Sequence, residues 1–186
     1  VNNYLDMDGL VCISADHYGG AVQATEYLCK LGHCKIGLLS GRFSPQVSEA
    51  RIEGFVKTLA KYDIPVDDRF IADIEPALED GEEIMTRMLR EVDRPTAFFC
   101  TNDTIAAGAM KAVTRAGLRV PEDIAIIGFD DSYISRVVEP ELTTVRIDAA
   151  KMGCLAMQTL FDLIAGMPVE KAHIQIPTEL IVRGTA

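Results

Sequence analysis

An alternation of short apolar runs with longer segments of helical periodicity constrains this fold more than any other feature of the sequence. Residues 36–39, 97–100 and 124–127 are short, apolar runs, whereas residues 45–61 repeat apolar side chains at helical spacing. Such alternation predicts a parallel sheet with crossover helices. We predict strands at 11–13, 36–39, 70–74, 97–100, 124–127, 174–176 and 180–182, and helices at 18–31, 45–61, 81–91, 103–116 and 149–165.

The segment 130–146 interrupts this rhythm. It is long and irregular, contains Pro140 and leads into residues 142–146 before the last helix. In a simple doubly wound domain, a helix would follow the strand at 124–127 directly. We therefore interpret the segment as a crossing of the chain between two subdomains.

Charge and cysteine content exclude several classes of protein. The chain has 18 Lys and Arg against 28 Asp and Glu, a net charge of −10, so by itself it is a poor candidate for binding nucleic acid. No apolar run approaches the roughly 20 residues of a membrane span. The five cysteines lie in apolar stretches at spacings that match no zinc or redox motif, which favours free thiols and a cytoplasmic location.

Three polar side chains are candidates for ligand binding. Asn102 and Asp130 lie at or beyond the carboxyl ends of predicted strands, and Arg51 lies on the helix after another such end, where open parallel sheets bind ligands. Each has a plainer explanation: Asn102 as a helix cap, Asp130 as a solvated turn residue, Arg51 as half of a surface ion pair. If they converge, their donors and acceptors suit a polyhydroxylated or heterocyclic small molecule.

Nothing in the sequence supports catalysis. His17, His33 and His173 are isolated from any nucleophile, and nucleophile-elbow, phosphate-loop and dinucleotide-binding motifs are absent. The pair Asp130 and Asp131 has no third oxygen ligand at a fixed spacing. We predict a protein that is not an enzyme and that holds no metal or cofactor.

Several motifs together resemble one known family. They are LGHCKIG at 31–37, RIEGF at 51–55, FFCTND at 98–103 followed by AAGA at 106–109, GLRVPEDI at 117–124 leading to GFDD at 128–131, LTTVR at 142–146 and ELIVRG at 179–184. In this order and spacing they resemble the effector-binding core of lactose-repressor/galactose-repressor (LacI/GalR) transcription regulators, over nearly the whole chain.

The resemblance implies an α/β fold of the periplasmic binding protein-like type I class, with two doubly wound parallel-sheet subdomains. Residues 1–40 and 145–165 would form an incomplete N-terminal subdomain, and residues 41–144 and 166–186 the C-terminal one. Crossings would fall near 39–42, 131–146 and 165–172. Because the chain starts at Val1, we expect a fragment that lacks the first strands and the helix-turn-helix headpiece.

The resemblance also implies a site and a function. Arg51 would donate to the effector, Asn102 would bind its hydroxyls and Asp130 would accept from it, with Asp16 and Asp148 near the cleft. Expected partners are a sugar, polyol or nucleoside-like effector, a second copy in a homodimer, and operator DNA through the headpiece. We also expect Arg51→Ala or Asp130→Ala to abolish stabilisation by the effector and to leave the fold intact.

Departures from the family pattern leave the effector open. Pro45 and Val47 stand where relatives often have polar or cationic residues, and Pro76 stands where many have a stacking aromatic. The options left open are a compact or acyclic polyol, or a ligand stacked on Phe129 or on a residue missing from this chain. The alternative function is a periplasmic sugar-binding protein of an ABC transporter, against which the unpaired cysteines and the LGH and VPEDI motifs argue.

Overall fold

The computed structural model describes residues 1–2, 10–167 and 172–186. Its strands are β1 (Cys12–Ala15), β2 (Ile36–Gly41), β3 (Ile71–Ile74), β4 (Ala97–Cys100), β5 (Ala125–Asp130), β6 (Thr143–Arg146), β7 (His173–Ile176) and β8 (Glu179–Ile181). Its helices are α1 (His17–Lys30), α2 (Pro45–Lys61), α3 (Leu78–Met88), α4 (Asp103–Arg115) and α5 (Ala149–Ile164). The predicted helices and strands are confirmed, with small shifts at their ends, and β6 is an additional strand.

The strands form two sheets. The larger has the order β3-β2-β4-β5-β6-β8, and all its neighbours are parallel except β6 and β8. The smaller pairs β1 with β7 in parallel. The α/β class with parallel sheets is therefore confirmed.

The strands group differently from the division that the resemblance suggested. The strand β2 lies between β3 and β4 in the six-stranded sheet, not with β1, and β7 pairs with β1 rather than joining β8. Among the described residues, the chain thus passes between the sheets after β1, after β6 and after β7. The crossing expected near 39–42 is wrong, because the chain changes sheets earlier, after β1. The crossing expected near 131–146 comes after β6 ends at Arg146, and the one expected near 165–172 comes after β7. Residues 168–171 lie outside the described part of the chain.

The reason for this difference is that alternation fixes the type of an element but not the sheet it joins. The irregular segment after β5 contains a 3₁₀ turn, Tyr133–Arg136, and returns to the same sheet as β6. The real crossings are short: one residue separates β1 from α1, and two separate β6 from α5 and β7 from β8. Nothing in their composition distinguishes them from ordinary loops.

The six-stranded sheet is buried on both faces. Consecutive residues of a strand point to opposite faces, so Phe98 packs with Met85 and Ile105 of α3 and α4, and Phe99 packs with Phe55 and Leu28 of α2 and α1. A third, smaller cluster joins the two-stranded sheet to α5 through Ile13, Met152 and Ile176. The packing of helices on both faces of the large sheet places the amino ends of α1 and α2 beside the small sheet.

Candidate functional site

A cavity of about 360 Å³ lies where the small sheet meets α1 and the start of α2. Small-molecule sites in proteins occupy roughly 300–1,000 Å³, so the cavity has the size of a ligand site. Its lining consists of neutral polar and small apolar side chains: Ser14, Ala15, His17, Tyr18, Gln46, Val47, Ala50, His173 and Gln175. Both sheet units therefore contribute to one cavity.

Arg51 lies beside this cavity, on the inner face of α2, and is only 3% exposed. Its guanidinium donates to the carbonyl oxygen of Thr101, to Nδ1 of His17 at 3.2 Å and to Oδ1 of Asp130 at 3.3 Å. The guanidinium carbon also lies 3.8 Å from the centroid of the Phe129 ring, a cation–π contact. Arg51 thus connects α2 with α1 and with the ends of β4 and β5.

Asp130 ends β5 in an uncommon backbone conformation, with φ of 108°. Burial raises the pKa of its carboxyl group to about 6; the positive charge of Arg51 opposes this shift, and the negative charge of Asp103 adds to it. Asp130 forms an ion pair with Arg51 at 3.3 Å, so two of the candidate residues from the sequence lie side by side at this edge of the sheet.

The neighbouring carboxylate, Asp131, points elsewhere and has a structural role. It accepts hydrogen bonds from Arg183 at 2.6 Å, Arg146 at 2.7 Å and Ser135 at 3.1 Å. Burial raises its pKa, but these donors outweigh that effect and hold the pKa at about 2. Of the two adjacent carboxylates, only Asp130 contacts Arg51.

Three other predicted site residues cap helices. The Oδ1 of Asn102 accepts from the backbone N–H of Ile105 at 2.8 Å, at the start of α4. Asp16 caps α1 by accepting from Gly19, and Asp148 caps α5 by accepting from Lys151, each at 2.8 Å. Capping satisfies backbone N–H groups that the helix leaves unpaired. The Nδ2 of Asn102 carries the hydrogens that a ligand could use.

The structure brings some predicted residues together and not others. Arg51 and Asp130 are in contact, and Asn102 follows Thr101, whose carbonyl accepts from Arg51. Asp16 precedes His17 in the same site, whereas Asp148 lies at the crossing between β6 and α5, where it caps α5.

Sequence reasoning missed several polar groups of the cavity. His17 appeared isolated, yet it lines the cavity and contacts Arg51. Ser14 and His173, on paired strands, lie 2.8 Å apart between Oγ and Nε2. The one available signal was the position of His17 at the start of a helix, one residue beyond the end of a strand. Stacking of a ligand on Phe129 was one option that the sequence left open; the ring is fully buried under Arg51 and presents no exposed face.

Within the described ranges, no group of three or more His, Cys, Asp and Glu side chains is arranged to hold a metal ion. Over the same part of the chain, no helix combines the length and apolar character needed to span a bilayer.

Comparison with known proteins identifies the family. A model of the periplasmic binding protein-like domain matches residues 25–186. The chain belongs to this family, in its LacI-type branch. A transcriptional repressor, PurR of Pasteurella multocida, is 38% identical over 92% of this chain and 52% of its own length.

Solved structures agree with this assignment. A LacI-family regulatory protein from Chloroflexus aggregans aligns with a TM-score of 0.92 and 32% identity, over 98% of this chain and 65% of that one. A sugar-binding LacI-family regulator from Escherichia coli, solved with phosphate, gives 0.90 and 28% over 100% and 66% of the two chains.

The chain therefore has the effector-binding fold of LacI-type transcriptional regulators. It spans about half the length of the curated relatives it matches. These relatives are repressors and not enzymes, which agrees with the predicted absence of catalysis and does not favour the transport-protein alternative.

Proposed function

We propose that this LacI-type domain binds an uncharged small molecule, a sugar, polyol or nucleoside-like compound, in the cavity between its two sheets. The observation that carries the proposal is the lining of this cavity, which is neutral and polar and comes from both sheet units. Hydroxyl and amide groups such as those of Ser14, Gln46 and Gln175 both donate and accept, as a polyhydroxylated ligand requires.

Arg51 and Asp130 would form one wall of the effector site. Their mutual ion pair leaves this wall with little net charge, which also suits an uncharged ligand. Asn102 would contribute its Nδ2 hydrogens, because its Oδ1 caps α4. Asp16 and Asp148 would act mainly as helix caps at the crossings and so orient α1 and α5.

The mechanism would be a population shift between two orientations of the sheet units. Ser14, His173 and Gln175 lie on the small sheet, and His17 and Gln46 belong to α1 and α2, which cover the large one. A ligand that contacts both groups favours the orientation in which both are in reach, to the extent that it binds that orientation more tightly.

In the complete regulator, this shift would be transmitted to a helix-turn-helix headpiece in a homodimer and would change its affinity for operator DNA. Such a protein would work in the cytoplasm, where its DNA target is. The strongly acidic composition agrees with a domain that binds the effector and not the DNA, since a separate basic headpiece would contact the phosphates.

Thermal unfolding with a panel of probes tests the proposal: D-glucose, D-galactose, D-glucitol, cellobiose, adenosine and D-glucuronate. We expect at least one uncharged probe to raise the melting temperature, because a ligand at about 100 times its Kd stabilises by about 2.7 kcal/mol. A preference for D-glucuronate over D-glucose at pH 7 would contradict an uncharged effector.

Paired variants locate the binding site. Gln46→Ala and Gln175→Ala remove polar groups from opposite walls of the cavity, so each should weaken the stabilisation by the active probe. Gln158→Ala is the control, because Gln158 lies on α5 and bonds Asp162 at 2.8 Å, outside the cavity lining. If both wall variants respond like the control, the ligand binds elsewhere.

A further inference from the structure

Three buried side-chain polar atoms have no hydrogen-bond partner in the part of the chain that the structure describes: Nε2 of His17, Oγ of Ser40 and Nε of Arg51. Of these three residues, His17 alone lines the cavity between the sheets. The residue is only 5% exposed, so bulk water does not readily satisfy its free ring nitrogen. A buried polar group without a partner is destabilising unless something else pairs with it.

The contact with Arg51 determines which ring nitrogen of His17 carries the proton. A guanidinium group has only donors, so Nδ1 of His17 must accept from Nη2 of Arg51 at 3.2 Å. A neutral imidazole that accepts at Nδ1 carries its single proton at Nε2. The unpaired atom is therefore an N–H donor, and its missing partner is an acceptor.

The surroundings of His17 keep the ring neutral. Burial and then the charge of Arg51 lower its pKa to about 4. The ring of Phe129 lies 6.1 Å away, tilted by 35°, and Asp130 is bound to the same guanidinium as His17. His17 therefore presents one fixed donor, since ring protonation would place a second N–H against the guanidinium.

We propose that the Nε2–H of His17 is a specificity-determining donor of the effector site and selects an acceptor oxygen, a hydroxyl, ring or carbonyl oxygen, of the uncharged ligand. This inference rests on the proposed function, because it assumes that the cavity holds an effector. Arg51 acts as a positioning residue: it fixes the tautomer of His17 and orients the ring. An analogue that lacks the oxygen leaves the donor unpaired and binds about 10- to 100-fold more weakly.

Nuclear magnetic resonance of the protein labelled with ¹⁵N-histidine tests the tautomer before any ligand is added. Long-range ¹H–¹⁵N correlations should place the proton of His17 on Nε2, with no titration from pH 8 down to pH 5. A proton on Nδ1 would overturn the inference. His33 serves as the internal reference, since its Nδ1 lies 2.8 Å from the hydroxyl of Thr96 at an exposed site.

Binding measurements test the role of the donor, with D-glucose, D-galactose and D-glucitol as probes. His17→Phe keeps a ring but removes both nitrogens. It should raise the Kd of whichever probe binds by at least 10-fold. His17→Gln supplies an oxygen for Arg51 and an N–H for the ligand, and should recover most of the affinity. The control His33→Gln should bind like the unaltered protein.

Deoxy analogues of the bound probe complete a double-mutant cycle. One deoxy position should weaken binding to the unaltered protein and have no effect on His17→Phe, because both changes remove the same hydrogen bond. Equal binding of a probe to the unaltered protein and His17→Phe would overturn the role of His17 and leave the proposed function intact. If none of the three probes binds, both the role of His17 and the proposal that the site binds a sugar or polyol are contradicted.

Discussion

The carboxylate of Asp131 lies 2.6 Å from Nη2 of Arg183, and this ion pair joins the end of β5 to the chain just after β8. Arg146, the last residue of β6, donates to the other carboxylate oxygen at 2.7 Å. Since β5, β6 and β8 are neighbours in the large sheet, one buried carboxylate ties three adjacent strands together.

We expect Asp131→Asn to lower the free energy of unfolding by about 3 kcal/mol, because it leaves three arginines, Arg136, Arg146 and Arg183, facing a neutral group at a buried site. Urea denaturation measures the change. The matched control is Glu53→Gln on the surface of α2, where the ion pair with Lys57 is exposed and contributes little to stability. Equal losses in both variants would contradict a structural role for Asp131.

Replacement of Arg51 should be severe. Arg51→Ala removes the partner of Asp130 and leaves the carbonyl of Thr101 and Nδ1 of His17 without their donor. We expect a loss of about 3 kcal/mol or more in the free energy of unfolding, measured in urea. Arg42→Ala provides the comparison, because Arg42 pairs with Asp73 and Glu75 at an exposed site and its loss should change the free energy of unfolding far less.

This result would also correct the expectation, drawn from the sequence, that Arg51→Ala spares the fold. A motif marks a residue as important without showing whether it faces the ligand or the protein interior. Arg51 is nearly fully buried and bonded on several sides, so its stability role and its site role are inseparable. Asp130, which is more exposed, is the better position for testing binding alone.

Stability should depend on pH through His17. Its pKa of about 4 in the fold lies below the ordinary value of 6.5, so the unfolded chain binds the proton first as the pH falls. The free energy of unfolding therefore decreases between pH 6.5 and about 4. His17→Gln should remove this part of the decrease, which urea titrations at pH 7.0 and 4.5 would measure; identical pH profiles would show that His17 titrates normally.

Asp130 should have the opposite effect. Its raised pKa, about 6 against an ordinary 3.8, means that the folded protein holds the proton more tightly. This contribution to stability is present below pH 3.8 and is lost as the pH rises through 6. Because the side chain is 38% exposed, we expect a change of only about 1 kcal/mol. Because Asp130 opposes His17 over this range, Asp130→Asn should make the fall in stability from pH 7 to pH 4 steeper, and an unchanged or flatter profile would contradict this assignment.

Much of the fold follows from the sequence because period and composition are local signals. The apolar run at 97–100 and the helical spacing of 45–61 are nearly the observed β4 and α2. The pairing of β1 with β7 joins residues about 160 positions apart, and no local signal encodes such a partner. The site was predicted where strand ends meet, at Arg51 and Asp130; His17 was missed because its importance comes from the cavity and from Arg51.

The glycine of the AAGA motif offers a last prediction. A Cβ built on Gly108 of α4 would lie 2.1 Å from the carbonyl oxygen of Leu78, at the start of α3. Gly108→Ala therefore has to separate two closely packed helices, and we expect it to lower the free energy of unfolding by about 3 kcal/mol. Apart from the adjacent backbone of α5 itself, no described atom lies within 4 Å of a Cβ built on Gly153, so Gly153→Ala should instead raise the free energy of unfolding by about 0.8 kcal/mol through helix propensity. Thermal or urea unfolding of the two variants compares the same chemical change at both sites. Stabilisation of the protein by Gly108→Ala would mean that the helices do not approach as closely as this packing requires.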